Sequence, residues 1–305
     1  MDDSPDTMRA VSYSAYGGPS VLAPGRIAVP HADAGQVRIR VRAASVNPFD
    51  LKKRVGMFAG GAAAPPLPVV PGVEAAGVVD EVGADATGVA VGDEVFGLGP
   101  ATFAEYAVLE HWAVRPAGWT WAQAASVSTA AEAALRALGL LGVDEGSTLM
   151  IDGAAGSVGF AAAQLALARG VAVLGTASPA KQERLRALGV APLDHGPGLD
   201  ERVAALEPDS VDAVLDASGK GSLDELIAIA GGPHRVVTLA NFDAPDKGVR
   251  VSSAPSAFSA LQLAAGLAAD GRFEVIVDSE HPLDQAAAAH ARAEAGADGK
   301  VVVLP

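Results

Sequence analysis

From Val37 the chain reads VRIRVRAASV, in which Val37, Ile39 and Val41 alternate with Arg38, Arg40 and Arg42. Successive side chains of an extended strand point to opposite faces, so this alternation predicts a half-exposed strand with its arginines outward. GVEAAGVVDEVG, GDEVFGL and FAEYAVLEHWAV follow as short apolar runs punctuated by Gly, Pro and Asp. Strands this short and closely spaced, up to about Pro116, predict a small, mostly antiparallel, barrel-like domain.

From Trp119 the rhythm changes. STLMID has the character of a short buried strand, and SVGFAAAQLALARG continues as a helix ending near Gly170. VAVLGTA predicts a second strand. SPAKQERLRALG predicts a second helix, with Ser178 at the N-cap, Pro179 in the first turn and Gly189 beyond its end. VDAVLDASG, SLDELIAIAGG and HRVVTLAN extend the alternation, which implies a parallel sheet with helices on both faces.

Composition narrows the function. A chain of 305 residues is long for one core and suggests two domains. A net charge of -14 leaves nothing to neutralise a run of phosphates or an anionic bilayer, so neither nucleic acid nor membrane is expected as a partner. The absence of cysteine removes disulfides, thiolate nucleophiles and cysteine-containing metal sites. The opening MDDSPDT is acidic and unlike a leader, and no run approaches the ~20 apolar residues of a membrane span. A cytoplasmic protein is therefore expected.

The stretch IDGAAGSVGF, residues 151–160, lies between the first strand and helix of the alternating part. A dinucleotide-binding turn reads Gly-x-Gly-x-x-Gly; here Ala154 holds the first place and Gly156 and Gly159 the other two. In such a turn the second glycine lets the backbone approach a pyrophosphate and the third allows close helix–strand packing. The helix N-terminus adds free N–H groups and partial positive charge. Ala155, Gly156, Ser157, Val158 and Gly159 are accordingly the expected phosphate-binding residues. The alternative is a tight turn without a ligand.

The chain resembles a medium-chain dehydrogenase/reductase of the zinc-independent, quinone-oxidoreductase-like branch. The resemblance runs through MRAVSYSAYGGPSVL, ASVNPFDLKKR, LPVVPGVEAAGVVDEVG, VGDEVFG and FAEYAVL, then IDGAAGSVGFAAAQLA, LGTASPAKQERLRALG and HPLDQAAAAHARAEAGADGKVVVL. It implies an α/β protein in which a Rossmann doubly wound parallel sheet, residues 118–266, is inserted in a GroES-like, mostly β catalytic domain. That domain comprises residues 8–117 and 267–305, behind a tail of residues 1–7. The resemblance also implies NADP(H) as cofactor, an active cleft between the domains and a homodimer. Zinc-dependent relatives carry a cysteine where this chain has Asn47 and a His-Glu pair where it has Val73-Glu74, so no metal is expected. The Tyr-Lys pair of short-chain dehydrogenases, a P-loop and a Gly-x-Ser-x-Gly elbow are all missing.

Individual residues carry two readings each. An NAD-specific fold places an acid after the second strand, to hold the ribose 2′-hydroxyl. Here the place reads Gly175-Thr176-Ala177-Ser178, with Lys181 and Arg184 behind it, which suits a 2′-phosphate. Thr176, Ser178 and Lys181 are thus candidate cofactor contacts, with helix capping the alternative for Ser178 and a solvated helix face the preferred reading of Arg184. His195 falls where relatives place a Tyr or His toward the adenosine phosphate; otherwise it is a loop residue. Ser218, Ala240, Asn241 and Phe242 follow the later strands and would pass the ribose and nicotinamide. Asn47, in SVNPFDLKK, is either a turn residue or, by family position, the catalytic residue lining the substrate cleft. Asp50 is read as structural, and Glu132 as capping or pairing.

The resulting expectation is an NADPH-dependent quinone oxidoreductase or enone (alkenal) reductase. It would deliver hydride to a small-molecule quinone or activated C=C bond, with the final proton from water. The alternatives are a non-catalytic NADPH-binding protein and a pathway-specific enoyl thioester reductase.

Overall fold

The computed structural model describes residues 6–60, 66–206, 211–241, 243–253 and 256–305. Two compact units divide the chain: Met1–Thr129 with Leu261–Pro305, and Ala130–Ala260. Among the described residues, no helix is long and apolar enough to cross a membrane.

The first unit opens with β1 (Thr7–Ser12), β2 (Ala23–Ala28), β3 (Val37–Ser45) and the short helix α1 (Pro48–Arg54). Strands β4 (Glu74–Val82), β5 (Glu94–Leu98), β6 (Tyr106–Leu109) and β7 (His111–Val114) follow, then helix α2 (Trp121–Ala124); α3 (Ser128–Leu141) starts in the first unit and runs on into the second. The second unit alternates β8 (Thr148–Asp152), α4 (Ser157–Leu167), β9 (Ala172–Thr176), α5 (Pro179–Leu188), β10 (Ala191–Leu193) and α6 (Leu199–Ala204). It continues with β11 (Ala213–Asp216), α7 (Leu223–Ala230), β12 (Val236–Thr238) and β13 (Arg250–Val251). After α8 (Ala260–Ala269), β14 (Val277–Pro282), α9 (Ala286–Glu294) and β15 (Lys300–Leu304) complete the first unit.

In the first unit, β1 and β2 form an antiparallel pair, and a seven-stranded sheet runs β14-β15-β3-β4-β5-β7, with β6 also paired to β3. Val37, Ile39 and Val41 point into a core with Val79, Val95 and Leu109, as the alternation predicts. The arginine face departs from expectation at one position. Arg40 and Arg42 are exposed, but Arg38 is 1% exposed. Its Nε and Nη2 bond the two oxygens of Asp80 at 3.0 Å, and Pro30 O accepts from Nη1. A paired, hydrogen-bonded guanidinium can be buried where an isolated one cannot.

The last strand brings the end of the chain beside β3. β15 pairs antiparallel to β3, with Val302 opposite Ser45 and Val303 opposite Ala44. Val46 N extends the register by donating to Val301 O at 2.9 Å, which sets Lys300 opposite Asn47. On the other side of β3, Ala75 pairs with Ala44, which sets Glu74 opposite Ser45.

The second unit holds a wholly parallel sheet of order β10-β9-β8-β11-β12-β13. The order reverses direction at β8 and β11, so the crevice at their carboxyl ends is where ligands bind in such sheets. The turn after β8 explains its missing glycine. Gly153, one residue earlier, takes the left-handed conformation at φ +85. Ala154 is fully buried, and its methyl group lies 2.4 Å from where a Cβ on Gly175 would stand. Gly159 behaves as the fingerprint requires, since a Cβ there would meet Gly153 O at 2.2 Å.

The alanine in the turn is therefore matched by a glycine on the next strand. Gly175→Ala should destabilise the protein by about 1–3 kcal/mol through overpacking. The double variant Ala154→Gly/Gly175→Ala should recover most of that loss in urea midpoint. Equal destabilisation of the single and double variants would refute the pairing.

Candidate functional site

At the carboxyl ends of the second unit's strands lies a cleft of about 720 Å³. Gly153, Ala155 and Gly156 of the turn line it, with Thr176, Ser178 and Lys181 from the end of β9 and the start of α5. His195 to Asp200, between β10 and α6, form another wall, and Ser218, Lys220, Gly221 and Glu225 form the side after β11. Seven expected cofactor residues thus meet in one place: Ala155, Gly156, Thr176, Ser178, Lys181, His195 and Ser218. Ser157 and Val158 open α4 without lining the cleft, and Gly159 packs beneath the turn. Ala240 and Asn241 are also outside its lining; their N–H groups donate to Thr238 Oγ1 at 3.2 and 3.0 Å. Phe242 lies outside the described residues.

The cleft walls rest on a row of polar side chains that end the strands. Asp152 closes β8, Thr176 β9, Asp216 β11 and Thr238 β12, and all four are at most 3% exposed. Thr176 Oγ1 accepts from Gly153 N at 2.8 Å and donates to Asp152 Oδ1 at 2.6 Å. Ser218 Oγ donates to Asp152 Oδ2. Asp216 Oδ1 accepts from the N–H groups of Ser218 (3.2 Å) and Gly219 (2.7 Å), and its Oδ2 from Thr238 Oγ1 at 2.8 Å. Thr176 and Ser218 line the cleft, and their hydroxyls donate to Asp152, so both residues also shape its walls. The signal was in the sequence, since the runs TLMID, AVLGT, AVLD and VVT all end on Asp or Thr.

The residues fit a dinucleotide with an additional phosphate. Gly156 is the N-cap of α4, no side chain caps that helix, and a Cβ at Gly156 would meet nothing nearer than Gly153 O at 3.4 Å. An anionic group has both the room and the helix N-terminus it needs there. Ser178 occupies the N-cap position of α5 yet makes no side-chain capping bond, and it lines the cleft with Lys181 and His195. No acid occupies residues 175–178.

The first unit contains a second polar centre. Glu74 is 0% exposed, Asn47 5% and Lys300 5%. Lys300 Nζ donates to Glu74 Oε1 at 2.7 Å and to Asn47 Oδ1 at 2.5 Å. Asn47 Nδ2 donates to Glu74 Oε1 at 2.9 Å, and Ser45 Oγ donates to the same oxygen at 2.5 Å. Thr129 N, in the first turn of α3, donates to Glu74 Oε2 at 2.8 Å, so the carboxylate also faces a helix N-terminus. Burial would push the Glu74 carboxyl up, but the Lys300 charge and the bonds from Lys300, Ser45 and Thr129 N hold it below the ordinary range.

Asn47 is therefore no mere turn residue. Both ends of its amide belong to this network, and its second N–H has only Ser45 O and Oγ at 3.4 Å, long for an N–H···O bond. Asp50 anchors the backbone, accepting from Asn47 N at 2.9 Å and Gly72 N at 3.0 Å, while burial raises its carboxyl to about 6. Glu132 pairs with Arg136 at 2.9 Å and accepts from Ala257 N at 3.0 Å. Sequence reasoning missed Lys300 and Thr129, which only the register of β15 and the start of α3 bring to Asn47.

Two family models match: an alcohol dehydrogenase GroES-like domain over residues 33–118 and a zinc-binding dehydrogenase over residues 194–303. The chain is 34% identical over 320 residues to a 2-methylene-furan-3-one reductase of Solanum lycopersicum, covering 99% of this chain and 80% of that one. It is 34% identical over 322 residues to an NADPH-dependent alkenal/one oxidoreductase of Arabidopsis thaliana, with the same coverage. The quinone oxidoreductase of Coxiella burnetii superimposes with a TM-score of 0.83 at 29% identity, over 98% of this chain and 99% of that one. A spectinabilin polyketide synthase protein of Streptomyces orinoci is 38% identical over 234 residues, 74% of this chain but 10% of its own length.

Removing one member of a buried ion pair strands the other. Lys300→Met should cost about 3–5 kcal/mol at pH 7, and Glu74→Gln/Lys300→Met should recover much of it. In the wild type the depressed Glu74 group contributes stability above the usual carboxylate range and loses it as pH falls through its folded value. In Lys300→Met the ammonium's charge and hydrogen bond are gone and burial is opposed only by the remaining neutral hydrogen bonds, so that value rises and the gap to wild type should narrow from pH 7 to pH 5. Denaturant melts at both pH values test this, and a gap that does not change with pH would overturn it.

Proposed function

This chain belongs to the medium-chain dehydrogenase/reductase superfamily, in its quinone-oxidoreductase-like branch, and from that premise we propose that it reduces a quinone or the activated C=C bond of an enone or enal with NADPH. The observation that carries the cofactor half is the glycine-turn cleft in which residues 175–178, where an NAD-specific fold has an acid, carry none, and which Ser178, Lys181 and His195 line together. NADPH, when bound, supplies the hydride. Ala155, Gly156 and the uncapped start of α4 would hold its pyrophosphate, and Lys181 and His195 its 2′-phosphate.

We assign the reacting end of the substrate to the first unit. Hydride addition to a conjugated carbon places negative charge on the carbonyl oxygen. Asn47 has one N–H not firmly bonded within the protein, and the Lys300 ammonium on its Oδ1 polarises the amide toward donation. The same ammonium supports a metal-free reading: it already occupies the donor oxygens of Asn47 and Glu74, where a zinc ion would have to displace it. The stretch matched to the zinc-binding dehydrogenase model contains no cysteine. A second reading, an enoyl thioester reductase, uses the same hydride step and is favoured by the match to part of a polyketide synthase.

NADPH should bind at least ~10-fold tighter than NADH, about 1.4 kcal/mol or more. Fluorescence titration of both cofactors tests that, and equal constants would defeat the assignment. Steady NADPH oxidation should follow addition of an ortho-quinone or a simple enone and survive a metal chelator. Turnover confined to enoyl thioesters would select the second reading, and none with any acceptor would mark a non-catalytic binder.

Asn47→Ala should leave NADPH affinity nearly unchanged while lowering kcat/KM for quinone or enone about 10- to 100-fold, roughly 1.4–2.7 kcal/mol. Its melting temperature should also fall, because Glu74 and Lys300 lose a shared partner. A lower melting temperature with unchanged turnover per folded molecule would make Asn47 purely structural.

A further inference from the structure

The wall of the cleft that carries His195 is the segment Asp194-His195-Gly196-Pro197-Gly198, which joins β10 to α6. It contains no helix or strand, and two of its five residues are glycines in the left-handed region, Gly196 at φ +103 and Gly198 at φ +77. Glycine loses more backbone freedom on ordering than any other residue, so a loop of this composition holds a side chain in place only if something outside it fixes the backbone.

Arg202, one turn into α6, does so with all three guanidinium nitrogens. Nε donates to Asp194 O at 3.1 Å, Nη2 to Gly196 O at 2.6 Å and Nη1 to Pro197 O at 2.8 Å. The three carbonyls lie on both sides of His195, so one planar fork brackets that residue. The flanks of the loop are tied separately. Gln182 of α5 donates to Asp194 Oδ1 at 2.7 Å, and Glu225 of α7 accepts from Leu199 N at 2.6 Å. Gln182 is the residue after Lys181, so the same ties set the spacing of His195 from Ser178 and Lys181 across the cleft.

We propose that Arg202 is a positioning residue for cofactor choice: by clamping loop 194–198 it holds His195 where it meets the 2′-phosphate of NADPH. The inference rests on the reading of the cleft as an NADPH site. Arg202 itself need touch no cofactor. Its contribution is preorganisation, which raises affinity by removing the cost of ordering the loop on binding.

Dissociation constants for NADPH and NADH are measured on wild type, Arg202→Met, Arg202→Lys, His195→Ala and Arg202→Met/His195→Ala. Arg202→Met should weaken NADPH about tenfold and NADH less than about twofold, with the KM for NADPH rising in parallel. Arg202→Lys, which cannot reach three carbonyls at once, should fall between, and it keeps the test usable if the methionine variant folds poorly. Because Arg202 acts through His195, the double variant should lose no more NADPH affinity than the worse single one. Additive losses, equal weakening of both cofactors, or an unchanged NADPH-to-NADH ratio in a selective protein would each overturn the role of Arg202. Equal constants in the wild type would instead overturn the NADPH reading beneath it.

Discussion

A carboxylate with no exposed surface has to find its donors inside the protein, and Glu74 finds them in three separate parts of the chain. Ser45 and Asn47 reach it from the end of β3, Thr129 from the first turn of α3, and Lys300 from the opening of the final strand. A buried charge costs several kcal/mol unless it is paired and hydrogen-bonded, so this one anion favours only arrangements in which those three segments converge on it. The return of the chain into the first unit, through β14 and β15, is what delivers the ammonium. The network thus couples the closure of a sheet to the placement of Asn47.

The second unit solves a different problem with smaller charges. Loops that shape a ligand cleft lie beyond the strands, where ladder hydrogen bonds have ended, so their N–H groups need other acceptors. Asp216 and Thr238 provide them from the last residue of their strands to Ser218, Gly219, Ala240 and Asn241, Thr176 reaches across to Gly153 N, and Asp152 accepts from the hydroxyls of Thr176 and Ser218. Short polar side chains suit this place because they reach two or three residues ahead, as at Asp216 and Thr238, or the loop after the neighbouring strand, as at Thr176. The walls of the cleft are therefore as rigid as the strand ends beneath them.

Much of this was legible in the chain itself. The switch from alternating apolar residues to strand–helix units marks the two architectures, and the turn at Ala155-Gly156 with Ser178, Lys181 and His195 locates the cleft. Three kinds of feature were not legible. Arg38 looked like an outward residue because periodicity does not register that Asp80 offers it a bidentate partner. The bonds from the Thr176 and Ser218 hydroxyls to Asp152 were not legible because spacing reports that a residue is near a site, not which neighbour its hydroxyl meets. Lys300 was silent because its partners lie more than two hundred residues away and only a strand register connects them.

The same distinction bears on how a shared scaffold acquires a preference. The fingerprint turn tolerates Ala154 because Gly175 gives up its own side chain, so the pattern is kept as a volume shared between two strands and not as a fixed letter at one position. His195 stands on a loop whose glycines would otherwise leave it free, and Arg202 in the next helix supplies the order that the loop lacks. On the proposed NADPH reading, the residue that meets the 2′-phosphate is set by one that does not. A contact residue can therefore be kept while its function is lost, if the residue supporting it changes.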